Sequence, residues 1–277
     1  MTLTGIDLTL SIVLYRTSTE DLRLCFDSLG RFKGNLYLYL VDNSPTDALR
    51  EECPSNLRHE YIHLPGNPGY GSAHNVAICK AQVLGCRYHL VLNADISFST
   101  DVLTPMLDHM EHSPQIGQMM PKILSLDGTV QHLCKLVPTP SDLLWRRFSG
   151  KQVKASSKQR FELHMSGYDK IMFVPYLSGC FMLLRQSALK EVGLFDERYF
   201  MYPEDIDLTR RIAERYETIF FPEVSVTHGH GAASYKSFKM LLVHAYNLIK
   251  YFNKWGWLSD PSREKLNRKT LDQFAKN

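Results

Sequence analysis

Short apolar runs alternate with amphipathic segments through the first hundred residues. Two segments, 21–29 and 72–84, repeat apolar residues at helical spacing and predict helices. Four apolar runs have the length and composition of buried strands, and they lie at 8–15, 36–41, 60–64 and 89–92. Strands that alternate with helices at this spacing predict βαβ units, and therefore an α/β fold with a mainly parallel sheet.

The second half of the chain alternates less regularly. Asp127-Gly128 lies between two apolar runs and predicts a hairpin turn. Short strands are predicted at 180–184, 218–221 and 224–227, and helices at 187–192, 235–252 and 260–274.

The pattern divides the chain into one main domain and a C-terminal addition. Residues 138–170 are polar, basic and weakly periodic, and they predict a flexible basic loop. We expect a single catalytic domain at residues 1–235 and a C-terminal helical extension at residues 236–277.

Composition and charge exclude several classes of protein. The 277 residues are 44% hydrophobic and 22% charged, as in ordinary globular proteins. The net charge of +3 is too small to indicate nucleic-acid binding, and no nucleic-acid-binding motif appears. The N-terminal segment lacks the pattern of a signal peptide, and no stretch approaches the roughly 20 apolar residues of a membrane span.

Cysteine usage predicts a reducing, cytoplasmic environment. The six cysteines are scattered and form no CxxC pair, so neither a metal site nor a disulfide framework is indicated. Cys25, Cys79 and Cys180 lie in apolar surroundings, and we expect them to be buried free thiols.

Two acidic residues follow predicted strands. Asp42 ends the second strand, and Asp95 closes the triplet Asn93-Ala94-Asp95 after the fourth. The carboxyl ends of parallel strands meet at one edge of the sheet, where α/β proteins bind their ligands. A carboxylate there could hold a divalent cation together with phosphate oxygens. Taken alone, the triplet is better explained by a surface turn.

A glycine-rich stretch and a histidine pair are further candidates. Residues 67–75, NPGYGSAHN, lead into a predicted helix, whose first N–H groups could bind an anion. The alternative is a tight turn that caps the helix, because both the P-loop and the dinucleotide fingerprint are missing. His228, followed by His230, is a candidate metal ligand through its neutral imidazole, although a single histidine is more often structural.

An acidic segment, YFMYPEDIDLTRR at 199–211, places Glu204, Asp205 and Asp207 at the start of an amphipathic helix. Acidic residues favour the first turn of a helix, where the backbone N–H groups are unpaired. The simple interpretation is therefore a cap, with Asp207 paired to Arg210 or Arg211.

Six motifs in order resemble one family. They are VDN at 41–43, NPGYGSAHN at 67–75, LNAD at 92–95, SGCFMLLR at 178–185, GLFDERYFMYPEDIDLTRR at 193–211 and VTHGHG at 226–231. Over about residues 6–235 the chain resembles the bacterial family 2 glycosyltransferases, and within them a rhamnosyltransferase-like branch. The resemblance implies the GT-A fold, which is Rossmann-like, with a mainly parallel central sheet and helices on both faces.

The resemblance also implies a donor side that binds a nucleotide-diphosphate sugar. The residues at the matching positions are Tyr15, Arg16, Asp42, Asn67, Gly69, Tyr70, Asn75, Asn93 and Asp95. Asp42 would accept from the imide N–H of a pyrimidine base. Asp95 takes the last place of a DxD-type motif whose first acid is here Asn93. A divalent cation, Mg²⁺ or Mn²⁺, is implied at Asp95 and at His228.

On the acceptor side, the resemblance implies inverting transfer with a general base. Asp205 is the expected base and Glu204 the alternative, because a carboxylate must take the proton of the attacking hydroxyl group. Ser178, Gly179 and Asp207 are expected on the acceptor side. The implied reaction transfers L-rhamnose from dTDP-L-rhamnose to a polyprenyl-diphosphate-linked glycan, in the synthesis of O-antigen or capsule.

Three alternatives stay open at this point. The chain could transfer another hexose from a UDP-sugar, act as a sugar nucleotidyltransferase, or be a non-catalytic sugar-nucleotide-binding subunit. Three aromatic residues, Trp145, Tyr176 and Phe200, could stack on a sugar or pack in the core.

Two basic stretches, 146–160 and 236–257, combine Lys and Arg with aromatic residues. They predict a solvated loop and a packed helix. Alternatively, they dock the protein at the inner face of the plasma membrane, with Lys250 and Lys254 near the anionic lipid.

Overall fold

The chain folds around one large sheet. A computed structural model describes residues 5–144, 151–229 and 238–275. The strands, in chain order, are β1 Leu8–Leu14, β2 Leu36–Asp42, β3 His59–His63, β4 Tyr88–Leu92, β5 Ile96–Ser97, β6 Ile116–Leu124, β7 Cys134–Lys135, β8 Met172–Phe173, β9 Tyr176–Leu177, β10 Phe181–Arg185 and β11 Glu217–His228. The helices are α1 Thr19–Leu29, α2 Tyr70–Val83, α3 Leu103–His112, α4 Pro140–Leu144, α5 Lys151–Phe161, α6 Gln186–Val192, α7 Glu204–Ala213, α8 Phe238–Trp255 and α9 Pro261–Asp272.

The sheet is mainly parallel, as predicted. Its strands follow the order β3-β2-β1-β4-β10-β6-β11-β5, and β8 also pairs with β11. The six strands β1, β2, β3, β4, β6 and β11 share one direction, and β10 runs against its neighbours β4 and β6. The carboxyl ends of six strands and the start of β10 therefore lie along the same edge.

Helices cover both faces of the sheet. Leu8, Leu10, Ile12 and Leu14 of β1 pack in the cluster that holds α1 and α3. On the opposite face, side chains of β4 and β10 pack with those of α2, α6 and α7. Because both faces are buried, the central strands appear in the sequence as continuous apolar runs.

Side chains or a glycine cap several helix ends. The Ser18 side chain caps α1, the Asp260 side chain caps α9, and Gly193 ends α6 with a φ of 85°. The strands predicted at 218–221 and 224–227 are one strand, β11. An irregularity in pairing with β6 between Phe221 and Ser225 separates its two halves, because Pro222 lacks the N–H that a continuous ladder needs.

The prediction of a flexible loop at 138–170 is wrong for much of that segment, which contains α4 and α5. Lys, Gln, Ala and Arg favour a helix intrinsically, and the described side chains of α5 before Phe161 are exposed. An exposed helix needs no apolar periodicity, so the pattern of the sequence did not predict it.

The C-terminal helices pack closely against α7. The fully buried Arg210 forms an ion pair with Asp260, and its guanidinium group lies 3.8 Å from the centre of the Trp255 ring. Leu248, Tyr251 and Phe252 of α8 pack with side chains of the 199–206 segment. The predicted boundary at 235/236 lies outside the described residues and stays a prediction.

The cysteines follow the prediction with one exception. Cys25 and Cys180 are buried free thiols, whereas Cys79 is exposed. The exception arises because α2 buries Ala77, Ile78 and Ala81 and turns position 79 to solvent. In the part of the chain that the structure describes, no helix combines the length and apolar character needed to cross a membrane.

The buried Arg210–Asp260 pair provides a stability prediction. Asp260→Asn keeps a side chain that can cap α9, but it leaves the charge of Arg210 without its counter-charge. We expect a loss of about 3 kcal/mol in the free energy of unfolding. Asp47→Asn breaks an exposed ion pair with Arg50 and is expected to cost less than about 1 kcal/mol. Chemical denaturation compares the two variants, and equal losses would contradict the prediction.

Candidate active site

The glycine-rich loop and the acidic segment are joined by backbone contacts. Tyr70, at the start of α2, donates its N–H to the carbonyl oxygen of Phe200 at 2.9 Å. Gly69 has a φ of 102°, and a Cβ atom there would lie 2.3 Å from that same oxygen. Only glycine fits such an approach, so the glycine-rich loop is built to meet the segment that leads into α7.

The Tyr70 hydroxyl group connects two sides of the site. It lies 3.0 Å from Oδ1 of Asn93, after β4, and 2.9 Å from the carbonyl oxygen of Gly179, before β10. Burial and the neighbouring carboxylates, Glu204 first among them, raise its pKa well above the ordinary value. The phenol therefore keeps its proton and acts as a donor.

Asp95 and His228 come together, as the sequence predicts for one ligand set. Asp95 Oδ1 lies 3.3 Å from His228 Nε2, and the Gly229 N–H donates to the Asp95 carbonyl oxygen at 2.8 Å. Asn93 Nδ2 lies 3.5 Å from the same imidazole nitrogen. The residues that meet here thus come from the end of β4, the start of β5 and the end of β11.

Gln131 contacts His228 through both the oxygen and the nitrogen of its amide group. Its Oε1 atom lies 3.0 Å from His228 Nδ1, and its Nε2 group donates to the His228 carbonyl oxygen at 3.1 Å. When Nδ1 carries the proton and donates to Gln131, the Nε2 atom, which faces Asp95, is the nitrogen that can bind a metal ion. Gln131 was not among the predicted site residues, because a glutamine that follows a hairpin turn carries no pattern of its own.

This donor set fits a divalent cation bound together with phosphate. A carboxylate oxygen and an imidazole nitrogen 3.3 Å apart can share one ion, and both are ligands of Mn²⁺-type metals. Within the described ranges no group of three or more His, Cys, Asp or Glu is placed to hold a metal ion. The protein side of such a site is therefore small, and ligand oxygens would have to complete it.

Asp205 is held by hydrogen bonds at the start of α7. Its Oδ2 atom accepts from the Gly179 N–H at 3.0 Å, and its Oδ1 atom from the Ile206 N–H at 2.8 Å. A Cβ atom on Gly179 would lie 3.2 Å from the Asp205 Cβ atom, so the small residue permits this approach. The carboxylate is partly exposed, and its orientation is fixed.

Their surroundings affect the pKa values of the adjacent acids Glu204 and Asp205 differently. Burial, together with the charge of Asp205, raises the pKa of Glu204 to about 8, and its Oε2 atom has no hydrogen-bond partner. Partial burial also raises the pKa of Asp205 above its ordinary value, although the two backbone N–H groups and the positive charge of Lys135 oppose that rise. Near neutral pH, Glu204 is therefore the protonated member of the pair, whereas the N–H groups and Lys135 favour the charged form of Asp205.

Lys135 is a second residue that the sequence did not indicate. It lies on β7, paired with Tyr176 of β9, and its ammonium group is 5.3 Å from the centre of the Tyr176 ring. The pairing brings a cation towards Asp205 from a segment that the sequence predicts only as the far side of a hairpin. Tyr176 thus packs beneath this lysine.

Two of the expected site residues are directed elsewhere. Asn75 does not meet the donor side, because its amide group bonds to the backbone of Phe195 and to Glu197. Asp207 does not face the acceptor side either. It is fully buried and binds Arg211 Nε at 2.8 Å, Lys254 Nζ at 2.6 Å and the Trp255 indole at 2.8 Å. The alternative of a pair with Arg211 is confirmed.

Asp42 is fully buried at the end of β2. Its Oδ2 atom accepts from the Tyr61 hydroxyl group, and its Oδ1 atom accepts from the Ser44 N–H at 2.8 Å. In this arrangement Asp42 joins β2, β3 and the following turn. Its contact with a nucleotide base stays a prediction.

The remaining expected site residues lie at the same edge of the sheet. Tyr15 and Arg16 are exposed after β1, and the Arg16 N–H donates to Ser44 Oγ at 2.8 Å. Asn67 has a φ of 45° in the turn before α2, and Ser178 is partly exposed beside Gly179. Trp145 and His230 lie outside the described residues.

Comparison with known proteins places this site in context. Residues 11–193 match the family model described as glycosyl transferase family 2. An N-acetylglucosaminyl-diphospho-decaprenol L-rhamnosyltransferase of Mycobacterium tuberculosis is 26% identical over 249 residues, covering 81% of this chain and 77% of that protein. Rhamnosyltransferase WbbL of Escherichia coli is 25% identical and covers 73% of this chain and 76% of its own length.

Solved structures show the same fold. Mannosyltransferase PcManGT of Pyrobaculum calidifontis, solved in complex with GDP-Man and Mn²⁺, aligns with a TM-score of 0.60. The alignment covers 97% of this chain and 70% of that protein, at 15% sequence identity. The predicted GT-A architecture with additional C-terminal helices is confirmed.

The raised pKa of Glu204 predicts how stability depends on pH. In the unfolded chain this carboxyl group releases its proton near the ordinary value of 4.5, whereas the folded protein holds it to about 8. Stability that is present below pH 4.5 is therefore lost as pH rises towards 8, by about 1.4 kcal/mol for each pH unit. Glu204→Gln stays neutral and lacks this loss.

Thermal melts between about pH 5 and pH 8.5 measure the effect. The melting temperature of Glu204→Gln should increase relative to that of the wild type as pH rises. Glu223→Gln alters an exposed carboxylate and should run parallel to the wild type. A Glu204→Gln curve that also runs parallel would show that Glu204 is ionised in the folded protein.

Proposed function

Because the chain belongs to glycosyl transferase family 2, and is thus a glycosyltransferase, we propose that it transfers L-rhamnose, with inversion, to a lipid-linked glycan. The sugar is proposed from two relatives named rhamnosyltransferases, each of which shares about three quarters or more of its length with this chain. The donor would be a nucleotide diphosphate sugar, with dTDP-L-rhamnose preferred. The family favours glycosyl transfer over the nucleotidyltransferase and binding-subunit hypotheses.

The observation that carries the mechanism is the carboxylate of Asp205, held by two backbone N–H groups. Inverting transfer requires a base that removes the acceptor proton while the acceptor oxygen attacks the anomeric carbon. Asp205 is partly exposed, oriented by two N–H groups and kept more acidic than Glu204. Glu204, protonated and buried, is the poorer base of the two at neutral pH.

On the donor side, Asp95 and His228 are the proposed ligands of a divalent cation, Mg²⁺ or Mn²⁺. When bound, such an ion offsets the charge that develops on the departing diphosphate. Asn93 lies next to these two side chains and bonds to Tyr70. Tyr15, Arg16 and Asn67, at the neighbouring strand ends and turn, are proposed to contact the nucleoside.

The acceptor class is proposed from the name of the mycobacterial relative, which contains a polyprenyl diphosphate carrying one sugar. Ser178 and Gly179 are small residues beside Asp205 and leave room for that sugar. A lipid-linked acceptor lies at a membrane surface, so the enzyme is proposed to work there without a spanning helix in its described part.

A donor panel with Asp205→Asn tests the proposed reaction. The wild type should transfer rhamnose from dTDP-L-rhamnose to a synthetic GlcNAc-diphosphate lipid, and should use UDP-galactose, UDP-GlcNAc and GDP-mannose poorly. Asp205→Asn should lose roughly 10²- to 10⁴-fold in kcat, the usual contribution of a general base. Donor affinity, measured by calorimetry, should change little.

The pH profile separates a base from a binding residue. The wild-type rate should fall as pH decreases through the pKa of Asp205, which burial places above the ordinary 3.8. The residual rate of Asp205→Asn should lack that inflection. An Asp205→Asn enzyme with wild-type kcat would reject this mechanism, and preferred transfer from a UDP-sugar would reassign the donor.

The tether between Gln131 and His228 predicts a change in metal affinity. Gln131→Leu removes the acceptor at Nδ1, so the imidazole loses both its fixed tautomer and its orientation. We expect Mn²⁺ affinity in the presence of dTDP to fall about 10- to 100-fold. Paramagnetic resonance titration measures free Mn²⁺ without relying on turnover. Gln82→Leu, on α2, is the matched control, and equal affinities in all three proteins would contradict the assignment.

A further inference from the structure

Helix α8 is apolar on two opposite faces. Its inner face buries Leu248, Tyr251 and Phe252 against the segment before the catalytic acids. Its outer face carries Leu242, Tyr246 and Ile249, each about half exposed. A surface helix normally turns polar side chains outward, so this second apolar face has no role in the fold of the described chain.

The exposed residues form one continuous stripe. Leu242, Tyr246 and Ile249 are four and three positions apart, and such residues lie on the same side of a helix. The same line continues to Asn253, whose Oδ1 atom accepts from the Trp257 indole at 2.8 Å. Leu258, next to Trp257, is 93% exposed. We call Leu242, Tyr246, Ile249, Trp257 and Leu258 the outer stripe.

One basic side chain, that of Lys250, borders the outer stripe. The Lys250 ammonium group lies 4.4 Å from the centre of the Tyr246 ring and donates to the Arg198 carbonyl oxygen. Residues 238–255 contain three lysines and no acid. Lys254, in contrast, binds the carboxylates of Asp196 and Asp207. Of the two lysines expected at the lipid, only Lys250 stands beside the stripe, because Lys254 supports α7.

The outer stripe lies close to the acceptor side of the site. Asn247 donates to the Met201 carbonyl oxygen at 2.9 Å, and the ring centres of His244 and Tyr202 are 5.1 Å apart. Helix α8 thus covers the loop that leads directly into Glu204 and Asp205. One helix diameter, about 10 Å, separates the stripe from that loop.

We propose that the outer stripe inserts into the surface of an anionic lipid bilayer and holds the acceptor side of the site against it. Leucine and isoleucine favour the acyl boundary, tyrosine and tryptophan favour the headgroup level, and a lysine beside them favours anionic lipid. The choice of a bilayer as occupant rests on the lipid-linked acceptor of the proposed function. Insertion into a bilayer also explains why α8 is apolar on both faces.

Vesicle binding tests the surface directly. The variant Leu242→Ser/Tyr246→Ser/Ile249→Ser should lose at least about tenfold in partitioning to phosphatidylglycerol-containing vesicles, since each side chain would bury apolar area there. The control Val83→Ser/Leu126→Ser removes two residues that are 89% and 80% exposed on other elements, and it should bind like the wild type. Thermal melts of all three proteins check that they are folded.

Charge is tested separately at Lys250. Lys250→Gln should weaken binding about fivefold to phosphatidylglycerol vesicles, the effect of one basic residue near an anionic surface. Binding to pure phosphatidylcholine vesicles should change little. A Lys250→Gln variant that binds both kinds of vesicle like the wild type would overturn the assignment of an anionic surface.

Two further results would overturn the proposal. One is unchanged vesicle binding by the triple variant. The other is a wild-type dimer by light scattering that the triple variant abolishes, since a second copy would then be the occupant. Transfer to a short-chain, water-soluble acceptor distinguishes this proposal from the proposed function. The triple variant should keep that activity, whereas a wild type that binds vesicles but transfers no sugar would refute only the proposed reaction.

Discussion

The hydroxyl group of Tyr70 lies between Asn93 and the carbonyl oxygen of Gly179, and the arrangement of the site depends on that contact. Asn93 follows the strand that leads to Asp95, and the N–H of Gly179 binds Asp205. One side chain at the start of α2 thus sets the position of the proposed metal ligand relative to the proposed base. Because the pKa of the phenol is raised far above neutrality, this link does not change over the pH range in which the acids titrate.

Three acids in four residues acquire different properties from their surroundings. Glu204 is buried with an unpartnered oxygen and favours its protonated form. Asp205 accepts two backbone N–H bonds and keeps its charge more easily. Asp207 is buried among two cations and an indole, and it connects α7 to α8. Desolvation, hydrogen bonds and nearby charges account for the three outcomes.

The C-terminal helices therefore serve the site as well as the fold. A buried ion pair such as Arg210–Asp260 adds little net stability compared with apolar packing, but it is costly to leave half-formed. It thus favours one position of α9 relative to α7. With Asp207 bound to Lys254 and Trp255, helix α8 supports the first turn of α7, which also carries Asp205. In our proposal, the outer stripe of α8 places that turn near the surface of a bilayer.

The sequence by itself determined the class of fold, the strand ends that carry Asp95 and His228, and the position of Asp205 at a helix start. These follow from local patterns, because burial on one face or two imposes a period on the residues of a strand or helix. The partners of each side chain were decided only by the tertiary structure. Gln131 meets His228 across 97 residues, and Asn75 meets Phe195 across 120, so no nearby pattern could indicate either contact. Helix α5 was not predicted for a different reason: it is exposed, and an exposed helix requires no apolar pattern in its sequence. Which carboxylate is buried, bonded or paired depends on groups brought from distant segments, and that is why the roles of Glu204, Asp205 and Asp207 could be separated only in the folded chain.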